Sequence, residues 1–326
     1  NLDQTKESFI NIQARFKQAN LWAKSGYEMA QAQFALNKRN NSLAPVAESN
    51  DKFNVIEDEK QITLENKGFK ISFDKQNGEI LYWKYDGFEV ISDRKGSPHY
   101  NNNRWIENDK HGDSISGELA STCEIKLNKE KTKAEIKITT KGEKCPYTIE
   151  YIVYSNNIVD MKVTMNPIVE GLRRLGLGMI FSKDFEEIDY YAKGPWENYN
   201  DRQEASFVSR YSTTVSDMFT PYAHPQSCGN RQEMREISLY KKGTNKGLKI
   251  EAESPIAFSM LHYDDTDFIK EVLHPWEMTP RSEVYTHFDY VQRGLGNGSC
   301  GPQTIEKYQV PSSGTYSFTL RFSPLR

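Results

Sequence analysis

The chain reads Lys133-Ala-Glu-Ile-Lys-Ile-Thr139 shortly before its midpoint, with apolar and charged side chains in alternation. A period of two places the apolar residues on one face of an extended strand and the charged residues on the other. The same alternation returns in Thr148–Tyr154 and, after the polar pair Asn156-Asn157, in Val159–Met165. Strands that are joined by short polar turns pair with their neighbours as hairpins. This stretch therefore predicts an antiparallel meander.

Shorter segments with similar patterns predict further strands on both sides of the meander: Ile62–Leu64, Phe69–Asp74, Ile80–Tyr85, Ile188–Ala192, Glu236–Tyr240, Leu248–Glu253 and Tyr316–Phe322. Asn77-Gly78 predicts a hairpin turn, because this dipeptide adopts positive φ at low cost. The one helix predicted is short, Thr266–Val272, with Asp264 or Asp265 as its cap. Since these strands outnumber those of an immunoglobulin sandwich, we predict an all-β fold, a large antiparallel sandwich or barrel.

The composition argues against several classes of function. The chain carries 42 Lys and Arg residues against 45 Asp and Glu residues, a net charge of −3, so we expect no nucleic-acid partner. It has no apolar run as long as a membrane helix, so we expect no membrane partner. Its four cysteines form no Cys-x-x-Cys pair and its six histidines no His-Glu-x-x-His motif, so no metal site is indicated. P-loop, nucleophile-elbow and dinucleotide motifs are also absent from the sequence.

The first 45 residues differ from the rest of the chain. Phe9–Phe16 and Glu28–Leu36 are each typical of a strand, and the polar segment Asn37–Asn50 has the composition of a linker. Two or three strands do not make an independent domain. We therefore expect residues 1–45 to be the end of a domain whose beginning is missing, and residues 46–326 to form the main domain. In this interpretation the chain is a piece of a longer protein, and its location is left open.

One long stretch carries a family resemblance. The chain reads Tyr191-Ala-Lys-Gly-Pro-Trp-Glu-Asn-Tyr-Asn-Asp-Arg202. This segment is similar to one in the C-terminal domain of lac-type β-galactosidases, which are family 2 glycoside hydrolases. The resemblance continues in order through Tyr211–Val215, Phe219–Tyr222, Pro225-Gln226, Gly229–Arg231, His274-Pro275, Pro280-Arg281, His287–Asp289, Gly294–Gly296 and Gly301-Pro302. Upstream, Leu21–Phe34 is similar to the closing strands of the immunoglobulin-like domain that precedes this domain in the family.

The resemblance implies both a fold and a division of labour. Such enzymes end in a catalytic (β/α)₈ barrel, an immunoglobulin-like domain and a large antiparallel supersandwich similar to galactose mutarotase. This chain would cover the last strands of the immunoglobulin-like domain and the complete supersandwich. The acid/base and nucleophile glutamates of the family lie on the barrel. The resemblance therefore implies that this chain holds no catalytic residue and is inactive by itself.

The same resemblance implies partners. They are the catalytic barrel of the same chain, a terminal β-D-galactoside that the parent enzyme hydrolyses with retention, and further copies of the parent in a homo-oligomer. It implies no cofactor in this region, with Mg or Na expected only on the parent's barrel.

Two segments are similar to loops that complete the sugar pocket of these enzymes. Arg104–Gly112 resembles the region that leads into a mobile active-site loop, although the spacing differs and the family's Ala-Pro is replaced. Gly294–Pro302 resembles a loop in which the lac-type enzymes place a Trp where this chain has Cys300. The substrate-binding residues that the resemblance implies are Trp105, Asn108, Asp109, Gly112, Ser299 and Cys300.

A second candidate group consists of Arg104, Glu197, Asp201 and Arg202. Under one hypothesis these side chains face a ligand in the groove. Under the other they fix a turn, in which the acidic and amide side chains cap backbone N–H groups and an Arg–carboxylate pair holds the loop. The sequence leaves both hypotheses open.

The competing interpretation of the whole chain is a stand-alone carbohydrate-binding or aldose-epimerase-like module. An epimerase needs a placed acid and base, for which His224, His274 and His287 are candidates. The sequence also leaves open a disulfide between Cys228 and Cys300, whereas Cys123 alternates with Ile125 and is predicted to be a core thiol.

Overall fold

The chain is almost entirely β-structure. The computed structural model describes residues 6–91, 93–106, 121–269, 274–296 and 304–325. Contacts divide the chain into two units, one ending at Ser42 and the other starting at Leu43. The described strands are β1 Phe9–Arg15, β2 Glu28–Ala35, β3 Asn54–Glu57, β4 Gln61–Asn66, β5 Phe69–Asp74, β6 Ile80–Tyr85, β7 Phe88–Ile91, β8 His99–Tyr100, β9 Ser121–Leu127, β10 Lys133–Thr140, β11 Tyr147–Tyr154, β12 Val159–Met165, β13 Arg174–Phe181, β14 Phe185–Gly194, β15 Phe207–Thr214, β16 Arg231–Lys241, β17 Gly247–Leu261, β18 Val284–Gln292 and β19 Tyr316–Leu325.

Helical structure is short in the described residues. The α-helix α1 covers Asp265–Ile269, and 3₁₀ turns cover Arg94–Gly96, Ser216–Met218, Pro275–Glu277 and Glu306–Tyr308. Asp264 rather than Asp265 caps α1, because its carboxylate accepts the N–H of Thr266 at 2.9 Å. The predicted helix is thus present from Asp265 to Ile269, and the rest of its predicted length lies outside the described residues. No described helix is long and apolar enough to cross a membrane.

The second unit consists of two antiparallel sheets. The larger has twelve strands, ordered β15-β14-β16-β17-β19-β12-β11-β10-β9, with β18 paired to β17, β13 paired to β18 and β8 paired to β13. The smaller has five strands in the order β3-β4-β5-β6-β7. Every described strand pair is antiparallel, which confirms the predicted all-β antiparallel fold.

The core of the second unit lies between these sheets. Rings from the smaller sheet meet rings from the larger one in three pairs, with centroids 5.2 Å apart for Trp83–Phe322, 5.4 Å for Phe73–Tyr151 and 5.7 Å for Phe88–Phe185. Aromatic residues bury more apolar area than other side chains and stabilise such an interface most. The two sheets therefore form a sandwich.

The antiparallel meander predicted for residues 133–165 is confirmed in detail. Ala134, Ile136 and Ile138 of β10 are buried, while Glu135 and Lys137 point to solvent. The predicted hairpin at Asn77-Gly78 is also present, since β5 pairs with β6 and Gly78 has a φ of +78°.

Two central strands, β13 and β18, were not predicted. No residue of β13 is exposed and only Tyr290 of β18 is, so neither strand has the alternation that marks a half-buried strand. Gly176 in β13 packs so closely on β18 that a Cβ there would lie 2.0 Å from the Asp289 carboxylate. Glycine inside a strand marks such a close approach.

The first unit contains one described sheet, in which β1 pairs with β2. Phe9–Arg15 and Glu28–Ala35 match the two predicted strands. Trp22 lies between two aromatic rings of the connection, with centroids 5.3 Å from Phe16 and 5.3 Å from Tyr27.

A buried ion pair joins two strands at the middle of the larger sheet. Arg321 on β19 donates two hydrogen bonds to Asp160 on β12, of 2.6 Å and 2.7 Å, and the two residues lie opposite each other in the register. The Arg321 guanidinium also donates to the carbonyl of Ala44. The pair thus holds the chain just after its first unit against the sheet.

We expect Arg321→Met to lower the free energy of unfolding of the second unit by about 3 kcal/mol, because the Asp160 charge would stay buried without its counter-ion. Urea unfolding measures this loss. Arg210→Met is the matched control, since Arg210 is 69% exposed and pairs with Glu236 at 2.9 Å. The control should cost less than about 1 kcal/mol. Equal losses in the two variants would contradict the importance of burial.

Candidate functional site

The described segment that follows β8 has no regular structure, yet long-range hydrogen bonds hold its residues 101–105. Asn101 donates its N–H to the carbonyl of Gly176 at 3.2 Å. The side-chain oxygen of Asn102 accepts the N–H of Arg174 at 3.0 Å, and the carbonyl of Asn103 accepts from the Arg174 guanidinium at 2.9 Å. Hydrogen bonds to strand β13 therefore hold the first three residues of this segment in place.

Arg104 connects the same segment to the end of β18. Its side chain is 1% exposed and donates to the side-chain oxygen of Gln292 at 3.4 Å, to the carbonyl of Arg293 and to the carbonyl of Gly294 at 3.3 Å. The two segments that resemble pocket loops thus leave the sandwich side by side. Their proximity could not be predicted from local sequence, since 190 positions separate Arg104 from Gly294.

Trp105 is held by its backbone. Its N–H donates to the hydroxyl of Ser227 at 2.8 Å, and its carbonyl accepts the N–H of Ser227 at 2.6 Å. The indole packs against the hydrophobic core and stays partly exposed. The other residues that the resemblance assigns to the pocket lie outside the described part of the chain: Asn108, Asp109, Gly112, Ser299 and Cys300.

Asp201 holds the start of the second segment. Its two carboxylate oxygens accept the N–H groups of Leu295 at 3.0 Å and Gly296 at 2.9 Å. A Cβ on Gly294 would lie 2.5 Å from the same carboxylate, and Gly296 has a φ of +64°. The Gly-Leu-Gly sequence therefore lets the backbone approach the Asp201 carboxylate.

Glu197 is the centre of a third contact group. Its carboxylate accepts from the guanidinium of Arg202 at 2.6 Å, from the hydroxyl of Tyr222 and from the N–H of Gly229 at 2.9 Å. Burial, together with the adjacent Glu197 carboxylate, raises the pKa of Tyr222 to about 12, so its phenol stays protonated and donates. These are the contacts that the turn-fixing hypothesis describes.

The structure thus brings the described candidates into one corner of the sandwich. Arg104 and Asp201 meet at the segment after β18, and Trp105 meets Ser227, two residues before the Gly229 that contacts Glu197. What these residues do toward a sugar stays a prediction.

The sequence did not predict two buried side-chain pairs behind this corner. The His287 ring on β18 lies 2.7 Å from the Asp265 carboxylate, and the Arg174 guanidinium on β13 lies 2.7 Å from the Asp289 carboxylate. Burial opposes the charge on Asp265, but the nearby His287 and Arg174 side chains outweigh it and hold the pKa of Asp265 below its ordinary value. The available signal was His287-Phe-Asp289, which carried the family resemblance without indicating a pair.

The other two candidate histidines have different surroundings. His224 is exposed, and His274 is exposed with its ring stacked on Trp276 at a centroid distance of 4.3 Å. Among the described residues, no group of three or more His, Cys, Asp or Glu side chains could hold a metal ion.

The thiols that the structure describes are free. Cys228 is buried and its sulfur accepts the N–H of Thr220 at 3.4 Å, so the disulfide to Cys300 that the sequence left open is not present at Cys228. Cys123 is partly buried and packs against the core, as predicted.

Comparison with known proteins assigns the family. The model of the β-galactosidase small chain matches residues 65–322, which is most of the chain. The chain belongs to the β-galactosidase small chain family.

A β-galactosidase from Staphylococcus xylosus is 32% identical over 152 residues, which cover 46% of this chain and 15% of the relative. One from Lactococcus lactis is 26% identical over 347 residues, which cover 98% of this chain and 34% of the relative. The chain thus spans about a third or less of the length of these relatives.

A solved structure of an aldose epimerase homologue from C. elegans also resembles the chain. It has 8% sequence identity and a TM-score of 0.39 and covers 84% of this chain and 98% of the homologue. The assignment to the family rests on the sequence matches alone.

We expect Asp201→Asn to release the segment after β18, because an amide offers one acceptor oxygen where the carboxylate offers two. Hydrogen exchange at the Leu295 and Gly296 N–H groups should become roughly tenfold faster, the effect of losing one charged hydrogen bond. Glu204→Gln, a change at an exposed carboxylate in the same loop as Asp201, is the control and should leave both rates unchanged. Unchanged rates in Asp201→Asn would show that other contacts hold this segment.

Proposed function

We propose that this chain is a non-catalytic region of a retaining β-galactosidase and that it completes the sugar pocket beside a catalytic barrel. Family membership supports the enzyme class. The observation that supports the pocket role is the contact of the Arg104 guanidinium with the carbonyls of Arg293 and Gly294. This contact brings the first residues of the two segments that resemble pocket loops next to each other.

The carboxylates at this corner support a non-catalytic role. Retaining hydrolysis needs one carboxyl group as acid and another as nucleophile, about 5–5.5 Å apart. Glu197 is bonded to Arg202, and both oxygens of Asp201 accept backbone N–H groups. Asp265 and Asp289 pair with His287 and Arg174. Carboxylates engaged in this way hold other protein groups in position and are not placed to attack a sugar carbon.

In this proposal the barrel supplies the catalytic carboxylates, and this chain supplies part of the wall of the sugar pocket. Trp105 would present an apolar ring to the C–H face of a galactoside, and the loops that start at Arg104 and Gly294 would exclude water from the reacting bond. Contacts of this kind orient the substrate, so they act mainly on KM for the sugar. In the parent, residues before Ser42 would belong to an immunoglobulin-like domain.

The chain alone should not hydrolyse a chromogenic β-galactoside, because the proposed function assigns both catalytic carboxylates to the barrel. Hydrolysis should appear when the polypeptide that carries the barrel is present with it. Turnover by the chain alone that survives repurification would overturn the non-catalytic role. Polarimetry on α-D-galactose tests the epimerase alternative, and accelerated mutarotation would favour it.

Cys300 gives a second test of the pocket role. Burial raises the pKa of Cys228 to about 12 and the pKa values of Cys123 and Cys145 to about 11, so these thiols react slowly with iodoacetamide at pH 8. A Cys300 thiol on a pocket-facing loop should be alkylated first, and a bound galactoside inhibitor should protect it in the parent enzyme. Mass spectrometry of peptides measures both rates.

Alkylation of Cys300 as slow as that of Cys228 would contradict its place on the pocket loop. Fast alkylation without protection by the inhibitor would place the thiol on the surface and outside the sugar pocket.

A further inference from the structure

Ser227 lies where three parts of the buried corner meet. Its side chain and backbone hold Trp105 from both sides, through the 2.8 Å and 2.6 Å hydrogen bonds to the Trp105 N–H and carbonyl. Its hydroxyl donates to the Asp265 carboxylate at 3.4 Å, and Ser227 is 6% exposed. A serine hydroxyl has one proton and two lone pairs, so it can serve both partners at once.

The group is not a catalytic triad, although it contains Ser, Asp and His. In a triad the histidine lies between the serine and the carboxylate and takes the serine proton. Here the Asp265 carboxylate lies in the middle, since His287 contacts it at 2.7 Å on one oxygen and the Ser227 hydroxyl contacts the other. Among the described contacts of the Ser227 hydroxyl there is no histidine, so the arrangement orients Ser227 as a triad would not.

The carboxylate that directs Ser227 is itself fixed. Asp265 begins helix α1, which Asp264 caps, and His287 belongs to the central strand β18. Asp265 is 8% exposed and His287 is 8% exposed. Buried charge-assisted hydrogen bonds of this kind are short and hold their partners in one geometry. The side chains of Asp265 and Ser227 thus connect His287 on β18 to the backbone of Trp105 through hydrogen bonds.

We propose that Ser227, oriented by Asp265 and His287, is the positioning residue that sets the place of Trp105 in the sugar pocket. This inference rests on the proposed function, because it assigns Trp105 the apolar wall of the pocket. The two hydrogen bonds between Ser227 and Trp105 fix the Trp105 backbone and therefore the point from which its ring extends.

The test uses the full-length β-galactosidase that carries this region, with Ser227→Ala, Trp105→Ala and the double variant. Ser227→Ala should raise KM for lactose roughly three- to tenfold, the effect of one hydrogen bond to a buried group, with kcat unchanged. In the Trp105→Ala background the same change should add nothing to KM, because Ser227 acts through Trp105. Ser227→Thr keeps the hydroxyl and should restore KM.

Ser206→Ala is the matched control, since Ser206 is a loop serine with the same exposed fraction of 6%. It should leave KM unchanged. The proposal would be overturned if Ser227→Ala raised KM by the same factor in the Trp105→Ala background as in the wild type. It would also be overturned if Ser206→Ala raised KM as much as Ser227→Ala does. A general loss of stability would explain either result.

Hydrogen exchange separates this inference from the proposed function. Ser227→Ala should speed exchange at the Trp105 N–H and leave that at Asn101 unchanged. If the wild-type parent does not hydrolyse β-galactosides, the proposed function fails, and the assignment of Trp105 to a sugar pocket fails with it. If hydrolysis is normal and the Trp105 N–H exchanges equally in both proteins, only the positioning role of Ser227 is wrong.

Discussion

The buried guanidinium of Arg104 is the contact on which the candidate site depends. Removing a cation from water costs several kcal/mol, which its partners must offset. At 1% exposure, Arg104 obtains these partners from the backbone carbonyls of Arg293 and Gly294 and from the Gln292 side chain. Carbonyls at the end of a strand have no ladder partner, so the guanidinium and the strand end satisfy each other. One side chain thus sets the spacing of two loops.

The charged residues around this contact act on the backbone. Asp201 accepts from two N–H groups, Glu197 accepts from one, and Asp265 directs the serine that holds Trp105. Charge-assisted hydrogen bonds to backbone groups are among the strongest that a loop can make. These hydrogen bonds explain how residues 101–105 and 294–296, which belong to no helix or strand, are held in one conformation.

Local patterns predicted the parts of the fold that have one face in the core. The meander β10–β12, the hairpin at Gly78 and the strands β1 and β2 follow the alternation or the turn residues of the sequence. Strands β13 and β18 have no such pattern, because nearly all of their residues are buried or partly buried. These two strands carry Arg174, His287 and Asp289. The buried side-chain pairs behind the site were therefore not predictable from alternation.

The sequence by itself determined the all-β class, the near-neutral charge and, through the ordered motifs from Tyr191 to Pro302, the resemblance to β-galactosidases. The alternation of apolar and polar residues and the order of the motifs are properties of the sequence, so they can be recognised without knowing which residues are close in space. Only the tertiary structure decided that Arg104 lies at Gly294, that Asp201 caps the same segment and that Ser227 holds Trp105. Each of these contacts joins residues 94 or more positions apart. Packing of the sheets brings such residues together, and nothing in the local sequence encodes that packing.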